Sequence, residues 1–183
     1  MPFLNVHVDA KALQGESPEN AARNARYDAL VSELKGNECL LTAHHKNDQS
    51  ETLLLQLFRG AGPAGLSSMP TVRKTGNSIH ARPLLDFNHD ELLQYAKENK
   101  LNWVEDPSNN NTDFDRNLVR QKILPLIKER WQQLDNSLSQ VASQQQDCLE
   151  IIEAMAAIDL ASMVTQRTEI IPIHALQKLS LAR

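Results

Sequence analysis

Cysteine is almost missing from this chain. Cys39 and Cys148 are the two present, far apart and without a C-x-x-C, which excludes a disulfide framework or a cysteine-built zinc cage. An excess of positive charge is missing as well: 19 basic against 23 acidic residues give a net charge of −4, so the chain as a whole does not advertise a nucleic-acid binder. No window approaches the roughly 18 apolar residues needed to span a bilayer. Met1 is followed by Pro2 and a strand-like run, with no basic and then apolar leader. These absences together suggest a soluble, cytoplasmic protein with no membrane partner. Internal repeats are absent, and Gln144 to Gln146 is the sole low-complexity tract. There is no Walker A G-x-x-x-x-G-K-[ST].

What is present suffices for a packed fold. The 183 residues are 41% hydrophobic, enough for one ordinary domain and an appendage. The central stretch runs from Leu40 to Met69. A short apolar run, Leu40 to Ala43, feeds a polar turn with His44, His45, Asn47 and Asp48, and a helix follows whose apolar face is expected to be Leu53, Leu54, Leu57 and Phe58. Its other face carries Asp48, Thr52, Gln56 and Arg59, with Glu51 beside Asp48, so two carboxylates project from the first turn. Acids there ordinarily complement the helix dipole. Two held close also suit magnesium, which takes one or two carboxylates plus water and phosphate oxygens. Gly60, Gly62 and Gly65 spell G-x-G-x-x-G, but they follow a helix where a dinucleotide fingerprint must follow a strand. The loop is read instead as a helix stop whose glycines permit positive φ or close approach of the backbone to a polyanion.

Strands and helices alternate along the first part of the chain. Phe3 to Val8 alternates as a strand; Ser17-Pro18-Glu19 caps a helix running to about Leu34; Glu38 to Ala43 is the next strand. That order implies parallel pairing with right-handed crossovers, and ligands gather beyond the carboxyl ends of such strands. Arg73 to Ser78 reads as a polar turn and Ile79 to Leu85 as a strand demoted to an edge by Pro83. Asn88 and Glu91 form a capping box for a helix to about Asn99. His89-Asp90 spells the HD pair of metal phosphohydrolases, but capping already accounts for it. A metal hydrolase built on His44, His45 and Asp48 is a weaker alternative still, since no third ligand is spaced for it.

Trp103 to Asp106 leads into the loop Pro107 to Asp113, and a helix follows from about Phe114, with Arg116 and Arg120 on one side until Pro125 kinks or ends it. Arg116, Arg120, Lys122, Lys128 and Arg130 are countered only by Glu129 in that stretch, a local basic concentration that is ordinarily a solvated face. From Gln132 to about Met163 a single long helix is expected, with a seam of Leu134, Leu138, Val141, Gln145, Cys148, Ile152 and Met155, a linker packed on a following domain. Thr168 to Arg183 starts another unit.

The strings AHHKNDQSET and LFRGAGPAGLSSM, together with ENAARNARYDAL, ARPLL, WVEDPSN and DRNLVRQKILP, occur in an order and spacing that resemble the tRNA(Ile)-lysidine synthases, of the PP-loop ATP pyrophosphatase class. The resemblance covers about Phe3 to Trp131. It implies an α/β fold with a partial parallel sheet of the PP-loop (adenine nucleotide alpha hydrolase-like) type and a long C-terminal linker helix. Domains are then expected at 1–131 and 132–183. It further implies a ligase that uses ATP and magnesium to adenylate the wobble cytidine of tRNA(Ile) with a CAU anticodon, after which free L-lysine displaces AMP to give lysidine. By resemblance Arg23, Asp48, Glu51 and Arg116 are catalytic, with Asp48 and Glu51 holding the metal. His45, Arg59, Gly60 and Gly62 bind nucleotide, and Glu105, Asp106, Asn109 and Arg120 bind substrate. The family opens with a strand and an S-G-G-x-D-S loop that this sequence lacks, so the chain reads as a fragment, and self-association through an exposed sheet edge is expected. The alternative is a catalytically silent module that folds or binds RNA without ATP chemistry.

Overall fold

The computed structural model describes residues 3–12, 18–35, 38–163 and 171–180. Its elements are α1 (Pro18–Ser32), β1 (Cys39–Leu41), α2 (Lys46–Phe58), α3 (Pro63–Leu66), β2 (Val72–Thr75), β3 (Ser78–Ala81), α4 (His89–Glu98), α5 (Asp115–Leu118), α6 (Leu124–Arg130), α7 (Leu134–Met163) and α8 (Ile173–Leu176). A 3₁₀ turn, Pro107–Asn110, precedes α5, and a π-helical turn, Val119–Ile123, joins α5 to α6. The chain forms two compact units, one of Met1–Lys46 with Pro70–Asn99, the other of Asn47–Met69 with Lys100–Arg183.

The first unit holds the sheet, in the order β1-β3-β2. β1 and β3 run parallel, Leu40 opposite His80, as the strand and helix alternation implies. β2 is antiparallel to β3, so the small sheet is mixed. The segment expected as a polar turn is therefore mostly strand: the two-residue link Gly76-Asn77, with Gly76 at φ +58°, closes a hairpin. Arg73 and Lys74 stand exposed on the edge strand, where polar residues conceal a strand from hydrophobic patterning. Phe3 to Val8 is not a strand here. Among the described residues no strand hydrogen-bonds it, and Phe3, Leu4, Val6 and Val8 are exposed. The cap expected at Ser17 lies outside the described residues, but the Asn88 box is formed, the Asn88 N–H donating to Glu91 Oε2 at 2.6 Å.

The second unit is helical. Leu54, Val119 and Leu124 form its centre, with Leu55, Ile123, Leu134 and Leu138 against them. Leu53 and Leu54 are buried as expected, but Leu57 and Phe58, on the same side of the helix as the buried Ser50 and Glu51 seven residues earlier, are exposed at its last turn. The helix after Phe114 does not simply end at Pro125. A widened π turn precedes it, and Pro125 falls at the start of α6, where a missing N–H costs least. α7 spans nearly the expected residues. Its first half packs through Leu134, Leu138 and Ala142, and α3 lies along it. Its second half leaves Ile151, Ile152, Met155 and Ile158 exposed. Of the segment from Thr168, residues to 170 and from 181 lie outside the described residues; Ile173–Leu176 is a single helical turn.

Candidate active site

Glu51 follows Asp48 at a spacing of i to i+3, which puts both carboxylates on one side of α2. Arg116, in α5, and Arg120, in the π turn, meet them from across the same unit. Arg116 Nε donates to Glu51 Oε2 at 2.7 Å and its Nη2 to Asp48 Oδ1 at 3.1 Å. Arg120 Nε donates to Glu51 Oε1 at 2.6 Å, and its Nη2 reaches Glu51 Oε2 at 2.9 Å and Asp48 Oδ1 at 3.2 Å. The Glu51 side chain is 1% exposed and Arg120 38%, so the network is closed at its carboxylate end and open at its guanidinium end. The hydrogen bonds to Glu51 raise the Arg120 pKa above its ordinary value against the opposing effect of burial.

Asp135, at the start of α7, fixes α2 in this position. Its Oδ1 accepts from Ser50 Oγ at 2.7 Å, and its Oδ2 from Asn47 Nδ2 at 3.1 Å and Lys128 Nζ at 2.6 Å. Gln49 is fixed too: its amide takes the Met69 N–H at 3.1 Å and gives to the Met69 carbonyl at 3.0 Å. Thus Asn47, Gln49 and Ser50 hold the helix while Asp48 and Glu51 hold the arginines. Sequence spacing flagged Asp48, Glu51, Arg116 and Arg120. It gave no sign of Asp135, whose partners lie 85 and 88 residues away.

The remaining candidates are distributed. Arg59 is exposed at the end of α2, Gly60 has φ +69°, and Gly62 caps α3. Glu105, Asp106 and Asn109 are exposed on the loop before α5, which Asn117 anchors by donating to the carbonyls of Ser108 and Asn111 at 3.0 and 2.7 Å. Asp106 accepts the Ser108 N–H at 2.9 Å, which holds its carboxyl below the usual range. Two candidates belong to the first unit: His45, its ring 5.3 Å from that of His89, and Arg23, its guanidinium 5.7 Å from the Tyr27 ring. That unit also carries a directed chain that sequence reasoning missed. Arg82 can only donate, so its Nη2, 3.3 Å from His80 Nδ1, makes that nitrogen the acceptor. His80 Nε2–H then donates to Thr42 Oγ1 at 2.9 Å, and the Thr42 hydroxyl to His44 Nδ1 at 2.9 Å.

The carboxylate pair does not fit a magnesium ion in this arrangement. Glu51 is nearly inaccessible with both oxygens taken by guanidinium donors, and a dication there would face two like charges. Among the described residues no group of three or more His, Cys, Asp or Glu is placed to hold a metal. What the arrangement offers is a buried anionic base carrying two oriented, partly open guanidinium groups, suited to phosphate or another oxyanion.

The model of the PP-loop domain matches residues 2–127. This chain belongs to the PP-loop family. Among curated members it is 43% identical, over 151 residues, to the tRNA(Ile)-lysidine synthase of Methylococcus capsulatus, covering 82% of this chain and 34% of that protein. It is 42% identical to that of Coxiella burnetii over 160 residues, 87% of this chain and 36% of the relative. For Legionella pneumophila the identity is 39% over 179 residues, 95% and 42% of the two chains. The chain thus spans well under half the length of these PP-loop relatives. No helix among its described residues is long and apolar enough to cross a membrane.

Proposed function

We propose that this chain carries part of the catalytic machinery of an ATP-dependent ligase that converts the wobble cytidine of tRNA(Ile) with a CAU anticodon to lysidine. The observation that carries the reading is the similarity to tRNA(Ile)-lysidine synthases over 80% or more of the chain, on which the Asp48, Glu51, Arg116 and Arg120 network falls. In the first step the cytidine carbonyl oxygen bonds to the α-phosphorus of ATP and pyrophosphate leaves. In the second the lysine side-chain amine attacks the activated ring carbon, the carbon–oxygen bond breaks, AMP departs and a proton is released.

Arg116 and Arg120 supply positive charge where phosphate charge develops, and Asp48 and Glu51 hold their planes fixed before substrate arrives. Arg23, in the first unit, is a further catalytic guanidinium by resemblance to the same synthases. His45, Arg59, Gly60 and Gly62 contact the nucleotide, Gly60 and Gly62 through exposed backbone, and Glu105, Asp106 and Asn109 receive the cationic and polar groups of free lysine. Magnesium neutralises phosphate charge when ATP is bound. The saturated state of Glu51 favours its arrival with the nucleotide over a site on the carboxylate pair. In this reading residues 1–131 are the ATPase-type domain and 132–183 a linker helix and the start of a helical domain. The protein works in the cytoplasm and self-associates.

The test is ATP–pyrophosphate exchange in the presence of a CAU-anticodon tRNA(Ile) transcript. It is run on the chain alone and on the chain joined to a strand and S-G-G-x-D-S segment. Exchange dependent on that transcript supports the reading; no exchange from either protein overturns it.

A further inference from the structure

The first unit contains a cleft of about 550 Å³ between α1 and the β2–β3 hairpin. Among the described residues four cations line it, Arg23 from the helix, Arg73 and Lys74 from the edge strand and Arg82 beyond β3, against one carboxylate, Asp28. None of the four pairs with a described carboxylate. Arg82 is the telling member. It is 4% exposed, yet among the described residues its guanidinium meets only neutral groups: the Pro70 carbonyl at 2.7 Å, His80 Nδ1 at 3.3 Å and the Tyr27 side chain. Its buried Nε has no hydrogen-bond partner.

A buried guanidinium without a counter-charge is costly, and arginines are rarely kept so unless paired. The surroundings do not relieve it. Burial lowers the Arg82 pKa, Tyr27 opposes this, and Arg23 and Arg73 lower it further. His80 cannot serve as the counter-ion, since it is at most neutral and its acceptor nitrogen already faces Arg82. No described carboxylate pairs with Arg82, and a cluster of three guanidiniums and an ammonium suits a multi-oxygen anion as the counter-charge.

We propose that this cleft binds phosphate groups of an RNA backbone, with Arg82 at its floor and Arg73 and Lys74 at its rim. The geometry alone assigns the phosphate; the choice of RNA over a free nucleotide rests on the proposed function. Two features favour a polymer. The rim cations sit on an exposed edge strand, open to a long ligand, and the patch is basic in a chain whose net charge is −4. Tyr27, half-buried at the wall, places an aromatic ring beside the phosphates.

The experiment is fluorescence anisotropy of a labelled anticodon stem-loop RNA on the whole chain, repeated across a salt series, with pyrophosphate and ATP as competitors. R73A/K74A changes only exposed side chains and spares the fold. It is expected to weaken RNA binding about fivefold or more and to flatten the log–log salt slope by roughly two. R82K, which keeps the charge and loses the fork, is expected to weaken binding with the slope unchanged. RNA affinity and slope within error of wild type in R73A/K74A overturn the proposal. Displacement by ATP at concentrations where pyrophosphate is ineffective assigns the cleft to a nucleotide and overturns the choice of RNA. Binding is read without turnover, so loss of pyrophosphate exchange with RNA binding intact tells against the proposed function and leaves this site standing.

Discussion

Glu51 accepts from Arg120 through both of its oxygens, 2.6 Å from Nε and 2.9 Å from Nη2, with its side chain 1% exposed. A carboxylate this deep in a helical unit is stable only because guanidiniums surround it. Removing it leaves two guanidiniums sharing Asp48 as their one described carboxylate. E51A is expected to destabilise the protein by roughly 2–3 kcal/mol, below the figure for a fully buried pair because Arg120 stays partly solvated. E51Q, which keeps one acceptor, should lose less. Urea unfolding of the two variants checks the order and the size.

Asp135 is predicted to act on α2 through Ser50. S50A and D135A each remove one end of the 2.7 Å bond, so a double-mutant cycle should return a coupling of about 1 kcal/mol. D135A alone should cost more than S50A, since it also releases Asn47 and Lys128. Additivity within error contradicts the hub.

His80 sets a pH dependence. Burial, then Arg82, Arg73 and Arg23, lower its pKa from the ordinary value of about 6.5. The unfolded chain therefore takes up a proton in a range where the folded one does not. Stability is full above the ordinary value and is lost as pH falls from there through the folded pKa. H80Q should abolish that share of the acid-side loss, measured as melting temperature between pH 7 and pH 5. An unchanged slope contradicts it.

The glycines of the α2–α3 link should separate into two kinds. A Cβ on Gly65 would stand 2.5 Å from Ala61 Cβ, so G65A must displace α3, whereas Gly62 has open space and an ordinary φ. G60A strains a left-handed residue by about 1 kcal/mol. G65A is expected to lower the melting temperature most and G62A hardly at all.

Local signals reached far into this fold. The Asn88 and Glu91 box, the strand and helix around Asp48, and the span of α7 are written in short-range spacing, and the motif strings led to the family. The hairpin escaped because Arg73 and Lys74 make a polar edge strand. Leu57 and Phe58 misled because an amphipathic reading assumes that one side is buried along the whole helix, whereas α2 buries that side in its first turns, Ser50 and Glu51 included, and exposes it in its last. Arg116 and Arg120 could be nominated, but not their shared grip on Glu51, formed across 65 and 69 residues. Arg82, His80 and Asp135 act through tertiary partners that no spacing announces.

In the proposed reaction the guanidiniums held by Asp48 and Glu51 act on phosphate during adenylation. ATP–pyrophosphate exchange by R116A and R116K, in the exchange-competent protein and with circular dichroism confirming the fold, tests it most directly. We expect R116A to lose roughly 100-fold or more, with R116K recovering only part, because a point charge does not restore the fork. Exchange by folded R116A within twofold of wild type contradicts the claim.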